Sequence, residues 1–413
     1  MTEMLTLLRI VAAVAAILLV AVVLGDALET VVLPRSVGRR FRLARAYFTG
    51  TWRAWTALAQ RLPGGRRETA LAVFGPLALL ALLALWVLLL ISGYALLLWG
   101  LGSPLTANGS APGGLGTDFY FSGTTFLTLG LGDVVPRGGP ARAVAVIEVG
   151  TGFGILALVV GYLPVLYQAF SRREARISLL DAHAGSPPSA GTLLLRHPPG
   201  RRGRRLMAIL AEWEGWSADL LETHLSYPML AAYRSQHEDQ SWVAALTMIL
   251  DACALVLASE PAMVDDEELA EQAAFTFAMA RHAAVDLAQV FRIPGRGDAA
   301  TQRRPVYGER VRLIEQLRAA GVLPDGAKGH GVEDRLHELR ALYEPYMAGL
   351  ADYWLMPLPP WAPEPQRLDD WQTTADGTTA PSLARLMSDR GTGRPGVRSD
   401  PGAGTKEKEK EAP

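Results

Sequence analysis

Three long apolar runs constrain this 413-residue chain more than anything else in it: Leu7 to Leu24, Leu71 to Gly102 and Ala141 to Phe170. Each is long enough to cross a hydrocarbon core of about 30 Å at about 1.5 Å per helical residue. Inside lipid every backbone N–H and C=O must find its partner within the protein, and a continuous apolar run does so as a helix. The first run continues through Gly25-Asp26-Ala27-Leu28-Glu29 to Leu33, and no small-x-small cleavage site is followed by a secreted-looking domain, so it reads as a retained membrane helix and not a signal peptide.

Arginine sets the orientation. Arg35, Arg39, Arg40, Arg42, Arg45, Arg53, Arg61, Arg66 and Arg67 crowd the first connection, whereas Gly102 to Gly139 holds Arg137 alone, and Arg172, Arg173 and Arg176 follow the third run. The positive-inside rule then puts 34–68 and everything after 171 in the cytoplasm, with the N-terminus and 102–139 outside. A formal net charge of −1 offers nothing to a nucleic-acid partner, and a single cysteine, Cys253, excludes an internal disulfide.

The expected organisation is a membrane helix over 1–34, a cytoplasmic or interfacial segment over 35–68, a pore domain over 69–171, a cytoplasmic α-helical domain over 172–360 and a disordered tail over 361–413. Phe41 to Leu62 spaces its aromatics as an amphipathic helix on the inner membrane surface would, and a helix packed on the soluble domain is the alternative. Residues 103–117 read as an exposed turret-like loop and 185–205 as a linker. Segments near 206–225, 240–259, 266–292, 306–320 and 332–355 read as a helical bundle. Trp242 to Ser259 is apolar enough for a fourth span, but Asp251 at its centre would cost about 2.5–3.5 kcal/mol there. It is expected as a buried bundle helix with Asp251 turned outward.

The chemistry lies between the second and third runs. Thr117 to Leu127 is too short to span and reads as a re-entrant helix, followed by Thr128-Leu129-Gly130-Leu131-Gly132-Asp133. Non-helical backbone at membrane depth is tolerated where it lines a cavity. The two glycines permit left-handed dihedrals, so that main-chain oxygens can replace the hydration shell of a cation. A Gly-rich turn in a membrane hairpin is the structural alternative. The working groups of such a filter are the carbonyls of Thr128, Leu129, Gly130 and Leu131 with the Thr128 hydroxyl, and Thr125 supports them.

Phe119-Tyr120-Phe121-Ser122 through Thr125-Phe126-Leu127-Thr128-Leu129-Gly130-Leu131-Gly132-Asp133-Val134-Val135-Pro136 resembles the pore loop of two-transmembrane potassium channels. The resemblance covers about residues 71–171. The family signature reads Thr-Val-Gly-Tyr-Gly-Asp; here Leu131 stands where tyrosine is usual, which keeps the carbonyl and loses a phenol hydroxyl. The whole chain also resembles bacterial potassium-channel-family membrane proteins with one extra N-terminal span. The resemblance implies an all-α pore-loop fold (outer helix, re-entrant pore helix, filter, inner helix). It implies a homotetramer in the bilayer, since one chain supplies one loop, and potassium ions at the carbonyls of Thr128 to Leu131. It implies a plasma-membrane channel without cofactor or catalysis.

On the third run Gly152, Gly154 and Pro164 are hinge candidates for gating, with helix packing the alternative for the glycines. Glu148 lies near filter height. It is expected to support the filter by a hydrogen bond behind it, or by pairing with Arg137 or Arg142. Asp26 and Glu29 share a face and are expected to pair with arginines of 35–45. The seven histidines show no ligand spacing. With no P-loop, nucleophile elbow or dinucleotide fingerprint, an enzyme has no support. The alternatives to a potassium channel are a weakly selective cation channel and a non-conducting membrane-anchored signalling or scaffold protein with a vestigial pore.

Overall fold

A computed structural model describes residues 2–32, 43–107, 114–185, 187–197, 203–235, 240–259, 267–295, 307–320 and 330–361. The expected tail beyond Trp361 and the arginines of 35–42 lie outside these residues, whereas Trp361 itself is buried in the bundle.

Helix α1 (Thr2–Val31) packs along α3 (Gly64–Gly100), with α2 (Leu43–Ala59) between them in sequence. Small residues set the approach of α1 to α3. A Cβ on Gly93 would lie 2.7 Å from the Val20 side chain, and one on Gly100 would lie 2.9 Å from the Arg9 carbonyl. Strand β1 (Leu105–Ala107) pairs antiparallel with β2 (Val134–Pro136), and between them runs the short helix α4 (Leu115–Phe126). Helix α5 (Gly138–Ala184) has 47 residues, roughly 70 Å of helix, so it runs well beyond any bilayer.

The remaining helices build a bundle: α6 (Ala190–Arg196), α7 (Gly203–Ser226), a 3-10 turn (Pro228–Ala232), α8 (Trp242–Ser259), α9 (Glu267–Val290), α10 (Tyr307–Ala319), α11 (His330–Ala341) and α12 (Glu344–Trp354). Among the described residues four helices are long and apolar enough to cross a membrane: α1, α3, α5 and α8. Burial separates the last from the others. Every residue of α8 is buried, and α9, packed on it, turns Glu267, Glu268, Glu271 and Arg281 outward. By contrast α1 and α3 expose Ile17, Leu18, Leu80 and Leu88, as lipid-facing helices do.

Several expectations are corrected here. Asp251 does not turn outward: α8 is enclosed on every side, and the carboxylate accepts the Tyr343 hydroxyl at 2.6 Å. Residues 190–197 are no linker, since α6 buries Leu193 and Leu194 in the bundle. Leu105 and Thr106 of the expected turret are buried in the small sheet. Helix α2 does not spread its aromatic face on a membrane. Trp52 is buried against Phe74 and Trp354 and donates to the Tyr353 carbonyl at 3.1 Å, and Trp55 donates to the Ala70 carbonyl at 3.0 Å. Arg35, Arg39, Arg40 and Arg42 lie outside the described residues, and among those described Asp26 meets no arginine. Its carboxylate accepts the Ala44 N–H at 3.1 Å and the Trp86 indole at 3.0 Å, so it caps the first turn of α2 from another helix.

One segment ties the bundle to the membrane helices. Arg173, buried on α5, donates to the carbonyls of Leu230 at 2.8 Å and Tyr233 at 2.6 Å. Tyr227 stacks on Tyr162 and Tyr233 on Phe170, both of α5, while Tyr233 also fills the space beside Gly75 of α3. Arg234 adds Glu68 of α3 at 2.6 Å and the carbonyls of Trp354 and Leu355 at 2.8 Å. Residues 227–234 are thus strapped between the two longest helices and the bundle.

His224 completes the strap. Its Nδ1–H donates to the Leu220 carbonyl at 2.8 Å, which leaves Nε2 to accept from Arg173 at 3.3 Å. Burial, then the Arg173 charge, push its pKa down to about 3. The unfolded chain binds a proton near pH 6.5 and the folded chain does not. Stability is therefore full above about pH 6.5 and falls by roughly 1.4 kcal/mol per unit as pH drops towards 3. Thermal unfolding of the detergent-solubilised protein between pH 7 and 5 is expected to show this acid slope, and His224→Gln is expected to flatten it.

Candidate functional site

The site begins where α4 ends. The Thr128 N–H bonds the Thr125 carbonyl at 3.0 Å and the Leu129 N–H bonds the Thr124 carbonyl at 2.8 Å. These two bonds are a Schellman termination, whose C′ residue takes a left-handed conformation and is usually glycine. Here it is Thr128, with φ 57°. A β-branched residue in that region is strained by about 1–3 kcal/mol and persists only where its surroundings dictate it.

The left-handed conformation then recurs at every second residue: Thr128, Gly130 with φ 55° and Gly132 with φ 76°, and not at Leu129 or Leu131. In a plain extended chain successive carbonyls point to opposite sides. Reversing the handedness at alternate residues turns them towards one side. The carboxy-terminal end of α4, with its partial negative charge, abuts the first of them and favours a cation there.

Among the described residues nothing covers this segment. Thr128 to Asp133 are all exposed, and a Cβ placed on Gly130 or Gly132 would meet no atom within 4 Å. Leu131, at 64% exposure, touches no core. At the far end Tyr120 of α4 donates its hydroxyl to Asp133 at 2.8 Å. Beyond Asp133 the β1–β2 pair and the Arg137 N–H to Pro104 carbonyl bond at 2.8 Å close the loop.

Behind the segment α5 presses on α4. Gly152 meets the Phe126 carbonyl so closely that a Cβ would fall 2.2 Å from the oxygen. Gly154 faces open space in one chain, and α5 stays helical through Pro164, whose side is exposed. Glu148 is fully buried and meets no arginine; its partner is the Ser122 hydroxyl of α4, which also bonds the Ile91 carbonyl of α3 at 2.9 Å. One turn on, Thr151 donates to the Ile147 carbonyl at 2.8 Å, which makes Tyr94 the donor in their 2.7 Å contact. Thr125 is half-buried and takes part in the Schellman end through its carbonyl.

The structure thus brings Thr125, Thr128 to Asp133, Glu148 and Gly152 to one junction, while Gly154 and Pro164 lie further along α5. Sequence reasoning missed Tyr120, Ser122 and Tyr94. Ser122 carried a signal, a small polar residue among Phe119, Tyr120 and Phe121. His183 and His197, distant in sequence, meet at 3.1 Å, but among the described residues no group of three or more ligands gathers for a metal. On α5 beyond Gly152, Phe153, Leu156, Val160 and Tyr167 are exposed at helical spacing.

Residues 81–168 match a family described as an ion channel. The chain is 27% identical over 195 residues to the uncharacterized membrane protein YdjJ of Bacillus subtilis (strain 168), an alignment covering 46% of this chain. The chain spans about half the length of that curated relative, 56%. No solved structure matches it. The α3–α5 region is a two-span pore-loop ion-channel domain within an all-α, multi-pass membrane protein.

Because the Phe126 backbone cannot retreat from a 2.2 Å clash, Gly152→Ala is expected to unseat α4. The check is a loss of monodisperse protein on size exclusion, or a thermal midpoint several degrees lower.

Proposed function

We propose that the protein is a potassium channel of the plasma membrane. Four copies surround one axis, and ions pass passively through stacked sites made by the carbonyls of Thr128, Leu129, Gly130 and Leu131. The observation that carries this reading is the alternation of left-handed residues at Thr128, Gly130 and Gly132, continuous with the end of α4 and uncovered on its free side. A bare filter strand and an apolar stripe on α5 suit assembly with further copies of the chain, since one loop cannot enclose an ion.

The arginine distribution supports an N-terminus and filter mouth outside and the bundle in the cytoplasm. The strap over residues 227–234 grips α5 at Tyr162, Phe170 and Arg173, on both sides of Pro164. This supports a bundle that holds the inner helix and biases its opening near Pro164 to Tyr167. Neither catalysis nor a cofactor enters the mechanism, and potassium is the permeant species.

Leu131 favours a second reading, a cation channel of weaker selectivity. Its side chain is exposed, and among the described residues the Tyr120–Asp133 bond ties the outer filter to α4.

Reconstitution of the full chain into vesicles under a potassium gradient tests both. Barium-sensitive flux that is lost in Gly130→Ala is expected, because a Cβ at φ 55° opposes the backbone the site needs. Sodium flux close to potassium flux would favour the second reading. No flux from well-folded assemblies would replace both with a non-conducting scaffold.

A further inference from the structure

The hydrogen bonds around Ser122 constrain a proton. A serine hydroxyl has one hydrogen, yet its oxygen lies within bonding reach of the Ile91 carbonyl, at 2.9 Å, and of Glu148 Oε1. The carbonyl can only accept. If the serine proton goes to Ile91, the lone pairs of Ser122 Oγ face Oε1, and two bare oxygens repel unless Oε1 carries a hydrogen. If the proton goes to Glu148 instead, an ionised carboxylate sits fully buried with a single bond.

Nothing else would compensate that charge. Glu148 Oε2 is buried without a partner. Arg137 and Arg142 do not reach the carboxylate, and Tyr94 of α3 already donates its proton to Thr151. An unpaired buried carboxylate is among the costliest arrangements a protein can hold. A neutral acid satisfies the same geometry: Glu148 Oε1–H donates to Ser122 Oγ, and Ser122 Oγ–H donates to Ile91.

We propose that Glu148 is a neutral carboxylic acid whose O–H locks α4 to α5, with Ser122 passing the bond on to α3. The role rests on the channel reading of the Thr128–Asp133 segment. Glu148 is a positioning residue: Ser122 lies on α4, one turn before the Thr124 and Thr125 carbonyls that terminate the helix and start the filter. The relay Glu148–Ser122–Ile91 therefore fixes the depth at which the first left-handed residue sits.

Two measurements on the full-length protein in vesicles test this. Infrared difference spectra of wild type against Glu148→Gln at neutral pH are expected to show a protonated carboxyl stretch that is lost in the variant and displaced in Ser122→Ala. A difference made of carboxylate bands alone overturns the proposal. In flux, Glu148→Gln retains a neutral donor and is expected within about threefold of wild type, whereas Glu148→Leu, without one, is expected to lose about tenfold. Equal impairment of the two variants overturns the role, and if Glu148→Leu fails to fold, loss of flux in Glu148→Gln does so by itself. The infrared band reads the proton whether or not the protein conducts, so a failed proposal and a failed channel reading give different results.

Discussion

The contact between Gly152 and the Phe126 carbonyl decides where everything else in the channel domain stands. Only a residue without a Cβ lets α5 come so close to the last turn of α4. With α4 seated there, its Schellman end is fixed in space, and Thr128 must enter the left-handed region despite its branched Cβ. The strain at Thr128 is held by packing from behind, because among the described residues nothing restrains it from the front. Glu148 and Ser122, one turn away on each helix, hold the same junction by polar contact.

A helix as long as α5 transmits what happens at one end to the other. Its first turns follow the β1–β2 pair, its middle meets α4 at Gly152, and its later turns carry Tyr162, Phe170 and Arg173 into the strap. Arg173 is buried with two backbone carbonyls, a neutral histidine and the Glu174 carboxylate, 3.0 Å from its Nε, as partners. A guanidinium placed this way is worth little to stability unless its bonds persist, because desolvation opposes the gain. Its value is geometric: residues 227–234 cannot shift without breaking several of those bonds, so α5 and the bundle move together.

The sequence made the spans and the unusual backbone of Thr128 to Asp133 legible, for different reasons. Lipid admits a narrow set of structures, so length and composition alone identified α1, α3 and α5, and the Gly130/Gly132 spacing marked the backbone that needs unusual dihedrals. Composition fails where neighbours decide. Helix α8 is as apolar as a span, and Asp251 looked misplaced in it; only its enclosure, with Tyr343 brought up from a distant helix, explains the acid. The partners of Asp26 and Glu148 were illegible for the same reason. Arginine was expected because charge seeks charge, but Asp26 found an indole and an uncapped N–H, and Glu148 found a hydroxyl. Helix α2 shows the limit of amphipathic reasoning, since an aromatic face fits a membrane surface and a protein surface equally well.

Leu131 is best understood through Tyr120. A filter strand needs its outer end fastened to the pore helix, and a tyrosine in the strand can do this by reaching back. In this chain the direction is reversed: the tyrosine sits on α4 and reaches forward to Asp133, two residues past Leu131. The anchor therefore lies at the mouth and leaves Leu129 and Leu131 held by backbone geometry, with their side chains exposed in the single chain. In the proposed assembly those leucines meet whatever neighbouring copies present. On the proposed channel reading, the rigidity of the middle sites comes from packing between copies, and discrimination between two cations of the same charge and different size would be set there.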